Sequence, residues 1–143
     1  MPADHERFMR LTIEEADKGG AEGNSAVGSI IVENDTVIGV GRNLALASHD
    51  PTAHAETVAL RNAKLTDLAG HTLYTTYEPC PMCCGAIMAS GISTLVMVAR
   101  PEPSENRWGG YTVENLVRMA GWTDRLEVVT GVLVDECAEA YRG

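Results

Sequence analysis

The feature that most constrains this chain is a split set of metal-binding side chains: His54-Ala55-Glu56, then, after 22 intervening residues, Pro79-Cys80-Pro81-Met82-Cys83. One imidazole nitrogen and two thiolates are good zinc ligands. A structural zinc site closes on four protein ligands, whereas a hydrolytic site uses three and keeps one position for water. The spacing supplies three. Cys84 follows Cys83 directly, and neighbouring residues on a helix point about 100° apart, so the two sulfurs would struggle to reach one ion. Any fold for this chain must therefore bring two distant segments to one point, with Glu56 as a spare acid beside the metal and its water.

Both segments read as helix starts, each following a strand or loop. Pro51 and Pro81 mark them, because proline suits the first turn of a helix, where an amide proton would lack a partner anyway. The positive ends of two helix dipoles would then converge on the ion and help hold Cys80 and Cys83 as thiolates. Elsewhere helix and strand patterns alternate. Phe8, Met9, Leu11, Ile13 and Ala16 fall at helical spacings in a segment expected to stop at Gly19-Gly20. Val27 to Val32 and Val37 to Val40 predict a hairpin about Glu33-Asn34-Asp35. Thr72 to Thr76, Thr94 to Ala99 and Leu126 to Val129 predict three more strands. Helices are predicted over His54 to Ala63, Pro81 to Ser90, Thr112 to Ala120 and Val134 to Tyr141, with Gly91 and Gly121 as stops. This order implies an α/β layered fold with mixed strand directions, one hairpin and crossover connections.

A chain of 143 residues with 45% hydrophobic content fits a single domain, residues 1–143, with a real core. It has no apolar run of membrane-spanning length and no apolar signal-peptide core near Asp4, His5, Glu6 and Arg7, which leads to the expectation of a cytoplasmic protein with no membrane partner. Cys80, Cys83 and Cys84 crowd together while Cys137 lies far off, a pattern of reduced thiols and metal more than of disulfides. Eleven Lys plus Arg against twenty Asp plus Glu give a net charge of -9. That balance counts against a polyanionic nucleic-acid substrate, because phosphate neutralisation supplies much of such affinity.

H-x-E followed by P-C-x-x-C is the signature of zinc deaminases that act on nucleobases. The chain resembles the cytidine and deoxycytidylate deaminase superfamily from about Gly28 to Cys137. Pro51-Thr52-Ala53-His54-Ala55-Glu56 is similar to the first half-site of tRNA adenosine deaminases and bacterial guanine deaminases. Thr72-Leu73-Tyr74-Thr75-Thr76, Cys84-Gly85-Ala86-Ile87 and Gly91-Ile92 are closer to fungal cytosine deaminases. The resemblance implies a three-layer α/β/α fold with a five-stranded mixed sheet, and Zn2+ held by His54, Cys80 and Cys83. It implies Glu56 as the proton shuttle, and contacts to the base from Asn43, the backbone of Ala55 and the carbonyl of Glu78. It also implies a homodimer, for which Trp108, Tyr111 and Trp122 offer aromatic surface.

Taken singly, His54 would be an ordinary hydrogen-bonded histidine and Glu56 an exposed helix acid; the joint pattern is what points to catalysis. Asn43 could equally cap a turn. The Glu78 side chain reads as structural, Cys84 and Cys137 as small buried apolar residues, and Met82, Met88 and Met97 as packing. Trp108 and Tyr111 could form an aromatic wall over a flat base or serve packing. His5, His49 and His71 are not expected as ligands. The expected activity is hydrolytic deamination of a small free nucleobase or related amino-heterocycle, cytosine-like ahead of guanine. Adenosine in tRNA is a further alternative, and a structural zinc-binding interaction module a reading of another class. The chain stops at Tyr141-Arg142-Gly143, where the tRNA enzymes run on in a basic helix, which adds to the charge argument for a free base.

Overall fold

The computed structural model describes residues 4–142. Five strands form one sheet: β1 (Gly28–Glu33), β2 (Thr36–Arg42), β3 (Thr72–Tyr77), β4 (Thr94–Ala99) and β5 (Glu127–Val129), in the order β2-β1-β3-β4-β5. β1 pairs antiparallel with β2 and β3, while β3, β4 and β5 run parallel. The hairpin turn has Asn34 and Asp35 both in the left-handed region, with φ of 46° and 66°. Two such residues in succession match the right-handed twist of the flanking strands.

Six helices flank the sheet: α1 (His5–Ala21), α2 (Ala45–Ser48), α3 (Ala55–Ala63), α4 (Pro81–Ser90), α5 (Val113–Met119) and α6 (Val134–Arg142). Successive strand residues point to opposite faces, and both faces are covered. On one face Ile30, Val32, Val96 and Val98 pack with Phe8 and Met9 of α1 and Cys137 of α6. On the other, Ile31, Leu95 and Met97 pack with Ala59 of α3, Cys84 and Ile87 of α4, and Val113 and Val117 of α5. Burial on both faces explains why β1 and β4 read as nearly unbroken apolar runs. The expected three-layer architecture is the one observed. No helix of the described residues is long and apolar enough to cross a membrane.

Two local expectations change. The first helix does not stop at Gly19-Gly20 but runs through both to Ala21. It ends where Gly23 turns left-handed (φ 88°) and Asn24 N–H donates to the Gly19 carbonyl at 3.0 Å. A helical glycine costs under about 1 kcal/mol, which packing readily offsets. At Gly20 the missing side chain lets Ala26 approach, since a Cβ there would lie 3.1 Å from the Ala26 Cβ. Second, Pro51 lies in a turn ahead of α3 and not in its first turn, so of the two marker prolines Pro81 alone opens a helix.

The placement of α3 depends on Gly41 of β2. A Cβ at that position would lie 2.3 Å from the Ala55 carbonyl oxygen and 2.4 Å from the Ala59 nitrogen. Only a residue without a side chain lets the strand backbone press against the start of this helix.

Candidate metal centre and active site

His54 and Cys80 are the residues immediately before α3 and α4. Both have extended backbones (φ -77°, ψ 161° and φ -68°, ψ 172°), and neither side chain caps its helix, so imidazole and thiol turn away from the helices. Cys83 lies one turn into α4. His54 Nδ1 is 3.6 Å from Cys80 Sγ and 3.5 Å from Cys83 Sγ, and all three ligand atoms lie within 4.8 Å of one another. Zinc bonds of about 2.05 Å to nitrogen and 2.3 Å to sulfur, at a tetrahedral angle, place those two atoms about 3.6 Å apart. The residues present therefore fit zinc. Among the described residues, no fourth His, Cys, Asp or Glu joins this group.

The other candidates go elsewhere. Cys84 is fully buried in the core, as a packing residue would be. His5 Nδ1 meets the Tyr74 hydroxyl at 2.8 Å, His71 Nδ1 meets the Ala69 carbonyl at 2.9 Å, and His49 caps α2 in the left-handed region.

The electrostatics of the cluster follow from its crowding. Cys80 is pulled down to about 4, first by a hydrogen bond from the Cys83 thiol, and with help from His54. Cys83 donates that bond and is buried, so its own thiol is pushed up. His54 is raised by its bond to Cys80. Two sulfurs and a ring thus share protons that a dication would displace, since ligation requires thiolate and neutral imidazole. Glu56 is 4% exposed, and burial pushes its carboxyl up to about 7. A carboxyl that titrates near neutrality can both take and return a proton.

These groups open into a cavity of about 310 Å³. Four residues named from sequence line it together with His54 and Cys80: Asn43, Ala55, Glu56 and Glu78. Asn43 lies just past β2, and its Oδ1 accepts from Ala45 N–H at 2.9 Å, which fixes the side chain and leaves its amide NH2 for a ligand. The buried Glu78 carboxylate accepts from Val113 N–H at 2.9 Å, tying the start of α5 to the ligand loop. Tyr111 Oη donates to the Pro79 carbonyl at 2.5 Å, and Trp108 also lines the cavity, so both belong to the site. Trp122 does not: it packs on the core with the Arg125 guanidinium 3.9 Å over its ring. Of the three aromatics expected to offer interface surface, Trp108 is the exposed one, at 43%, while Tyr111 and Trp122 are half-buried.

Tyr77, Tyr141 and Arg107 line the cavity without having been singled out. Tyr77 ends β3 and Tyr141 lies on α6, and their rings stack at 4.4 Å. The signal in the sequence was slight: a tyrosine next to Glu78 and an aromatic one turn past Cys137.

Four similarities to known proteins bear on this site. Residues 2–99 match the family model for the cytidine and deoxycytidylate deaminase zinc-binding region. The tRNA-specific adenosine deaminase of Haemophilus influenzae is 40% identical over 139 residues, covering 94% of this chain and 79% of the relative. A solved structure from work on A-to-I editing by tRNA:A34 deaminases at the wobble position of transfer RNA superposes with a TM-score of 0.79. Its identity is 33%, over 94% of this chain and 98% of that one. Guanine deaminase from Nitrosomonas europaea superposes with a TM-score of 0.81 at 29% identity, over 99% of this chain and 84% of that one.

Proposed function

The chain belongs to the cytidine and deoxycytidylate deaminase family and is a zinc-dependent hydrolytic deaminase of C–N bonds, and from that premise we propose that its substrate is an adenosine in tRNA, converted to inosine with release of ammonia. The observation that carries this reading is the 40% identity with the H. influenzae tRNA-specific adenosine deaminase across 94% of the chain.

The cytosine-like free-base reading gives way to it for a physical reason. The residues behind that reading lie on β3 and α4, where Leu73, Tyr74, Thr75, Thr76, Cys84 and Ile87 are buried. None of them lines the cavity. Likeness there reports a shared core. The likeness to tRNA deaminases at Pro51 to Glu56 includes His54, Ala55 and Glu56, which do line it. The net charge of -9 argues less strongly than it did from sequence, because nucleic-acid affinity depends on the charges at the contact and not on their sum.

In this reading His54, Cys80 and Cys83 hold zinc, which when bound supplies the Lewis acidity that activates water for attack at neutral pH. Glu56 takes a proton from the attacking water and delivers it to N1 of the adenine ring, so that C6 accepts the oxygen. A proton passed back through Glu56 to the exocyclic amine lets ammonia leave, and the C6 carbonyl of inosine remains. The Asn43 amide orients the nucleoside, the Ala55 N–H faces the incoming oxygen, and the Glu78 carbonyl accepts from the amine. Tyr77 and Tyr141 form an aromatic wall for the base. The homodimer expected from the resemblance stays part of the proposal. Ammonia release from a matched panel of tRNA, adenosine, adenine, guanine and cytosine tests the reading. Activity confined to guanine or cytosine would replace it with a free-base enzyme.

A further inference from the structure

The cavity has an outer rim that the deamination chemistry leaves unused. It is made by the loop between β4 and α5, and two of its residues, Arg107 and Trp108, line the cavity beside the metal ligands. The loop is held by its own bonds. Asn106 Oδ1 accepts from Trp108 N–H at 3.0 Å, while Asn106 Nδ2 donates to the Tyr111 carbonyl at 2.8 Å. Tyr111 in turn bonds the Pro79 carbonyl next to Cys80. The rim is thus anchored to the metal-binding loop.

Within this fixed loop the Arg107 guanidinium stacks over the Trp108 ring at 4.4 Å. Three arginines have acidic partners: Arg42 meets Glu15 and Glu22, Arg61 meets Asp50, and Arg100 meets Glu78 and Glu114. Arg107, like Arg7, Arg10, Arg118, Arg125 and Arg142, pairs with no carboxylate among the described residues, and of these six it is the one that lines the cavity. Glu105 lines the same cavity and bears a charge of the wrong sign for an anion, so the rim is selective in position and not uniformly basic. An exposed indole under a free guanidinium offers a face for stacking and a fork of donors that matches phosphate.

We propose that Arg107 and Trp108 are specificity-determining residues for a phosphate-linked nucleotide. Trp108 stacks on the nucleoside next to the target base, and Arg107 meets the phosphate that joins them. The inference rests on the tRNA reading and deepens it, by assigning recognition outside the target base to this loop.

Binding of a labelled tRNA anticodon stem-loop to zinc-loaded protein, followed by fluorescence anisotropy across a salt series, tests it. Arg107→Gln should weaken binding about tenfold, the scale of one charge-assisted contact. It should also reduce the slope of log affinity against log salt by roughly one. In turnover the loss should fall on KM and not on kcat. Trp108→Ala should weaken binding about tenfold or more, with Trp108→Phe recovering most of it. Arg118→Gln, an exposed change on α5 away from the cavity, should leave binding as it was. Wild-type affinity and salt slope in Arg107→Gln, with tRNA still deaminated, would overturn this inference alone. Failure of the wild-type protein to bind or deaminate any RNA, with 5′-AMP bound and that binding weakened by Arg107→Gln, would keep the phosphate contact, move it to a mononucleotide, and overturn the tRNA reading. Wild-type protein that binds neither RNA nor 5′-AMP would overturn both.

Discussion

Gly41→Ala places one methyl group where the backbone of α3 meets β2. The new Cβ would lie 2.3 Å from the Ala55 carbonyl oxygen and 2.4 Å from the Ala59 nitrogen, where ordinary contact begins at 3.4 Å. Both neighbours are backbone atoms, so no rotamer change relieves the clash, and strand and helix must part by about 1 Å, the difference between those distances. Overpacking of this kind costs about 1–3 kcal/mol of stability. The activity should suffer more, because Ala55 sits between His54 and Glu56, and a misplacement of about 1 Å in a reacting group costs on the order of 10²-fold in rate. Gly19→Ala is the matched control. Its nearest contacts would be ordinary ones, at 3.5 Å to Arg42 Cβ and the Ser25 carbonyl oxygen, and it sits inside α1. Alanine there should stabilise by about 0.5–1 kcal/mol. Urea unfolding at one fixed excess of zinc, which keeps the metal's contribution to stability constant, measures both variants beside the wild type. The reasoning is refuted if Gly41→Ala is as stable and as active as wild type, or if both substitutions shift stability in the same direction.

Glu56→Gln should keep zinc and fold while turnover drops by at least about 10² to 10⁴, the usual worth of acid–base catalysis; near-normal turnover with zinc in place would assign the proton transfers to another group. Elemental analysis should find about one zinc per chain in wild type and in Cys84→Ala, and a deficit in Cys80→Ala and Cys83→Ala; full occupancy without Cys83 would contradict the three-ligand assignment. Arg42 holds the Glu22 carboxyl below its ordinary 4.5 through a hydrogen bond, so the pair's contribution is complete above that pH and is lost as pH falls through the depressed folded value. The stability gap between wild type and Glu22→Gln, followed by chemical denaturation, should therefore close on acidification, and a gap that widens would show that the pair is not the cause.

The parts of this molecule legible in the sequence are those whose meaning is local. His54, Cys80 and Cys83 could be named because ligand type and spacing limit what they can do together, and the hairpin because Asn34-Asp35 suits a left-handed turn. Gly19-Gly20 misled because a glycine pair stops an isolated helix, whereas here the helix is held by packing and Gly20 makes room for Ala26. Other residues that line the cavity were harder to find. Tyr77 and Tyr141 come together from β3 and α6, and nothing in their separate neighbourhoods records that their rings stack. The cytosine-like segments at Thr72 to Thr76 and Cys84 to Ile87 carry weight in the sequence beside the half-site at His54, although the fold buries Leu73, Tyr74, Thr75, Thr76, Cys84 and Ile87 away from the cavity. Sequence alone does not separate a core strand from a cavity wall; the fold does.

The central claim is that this zinc deaminase acts on adenosine within tRNA. The most direct measurement is inosine formation in purified tRNA incubated with zinc-loaded wild-type protein and, in parallel, with Glu56→Gln. The account predicts inosine, with ammonia in equal amount, from wild-type protein only. Unchanged tRNA, together with rapid ammonia release from free guanine or cytosine, would contradict it.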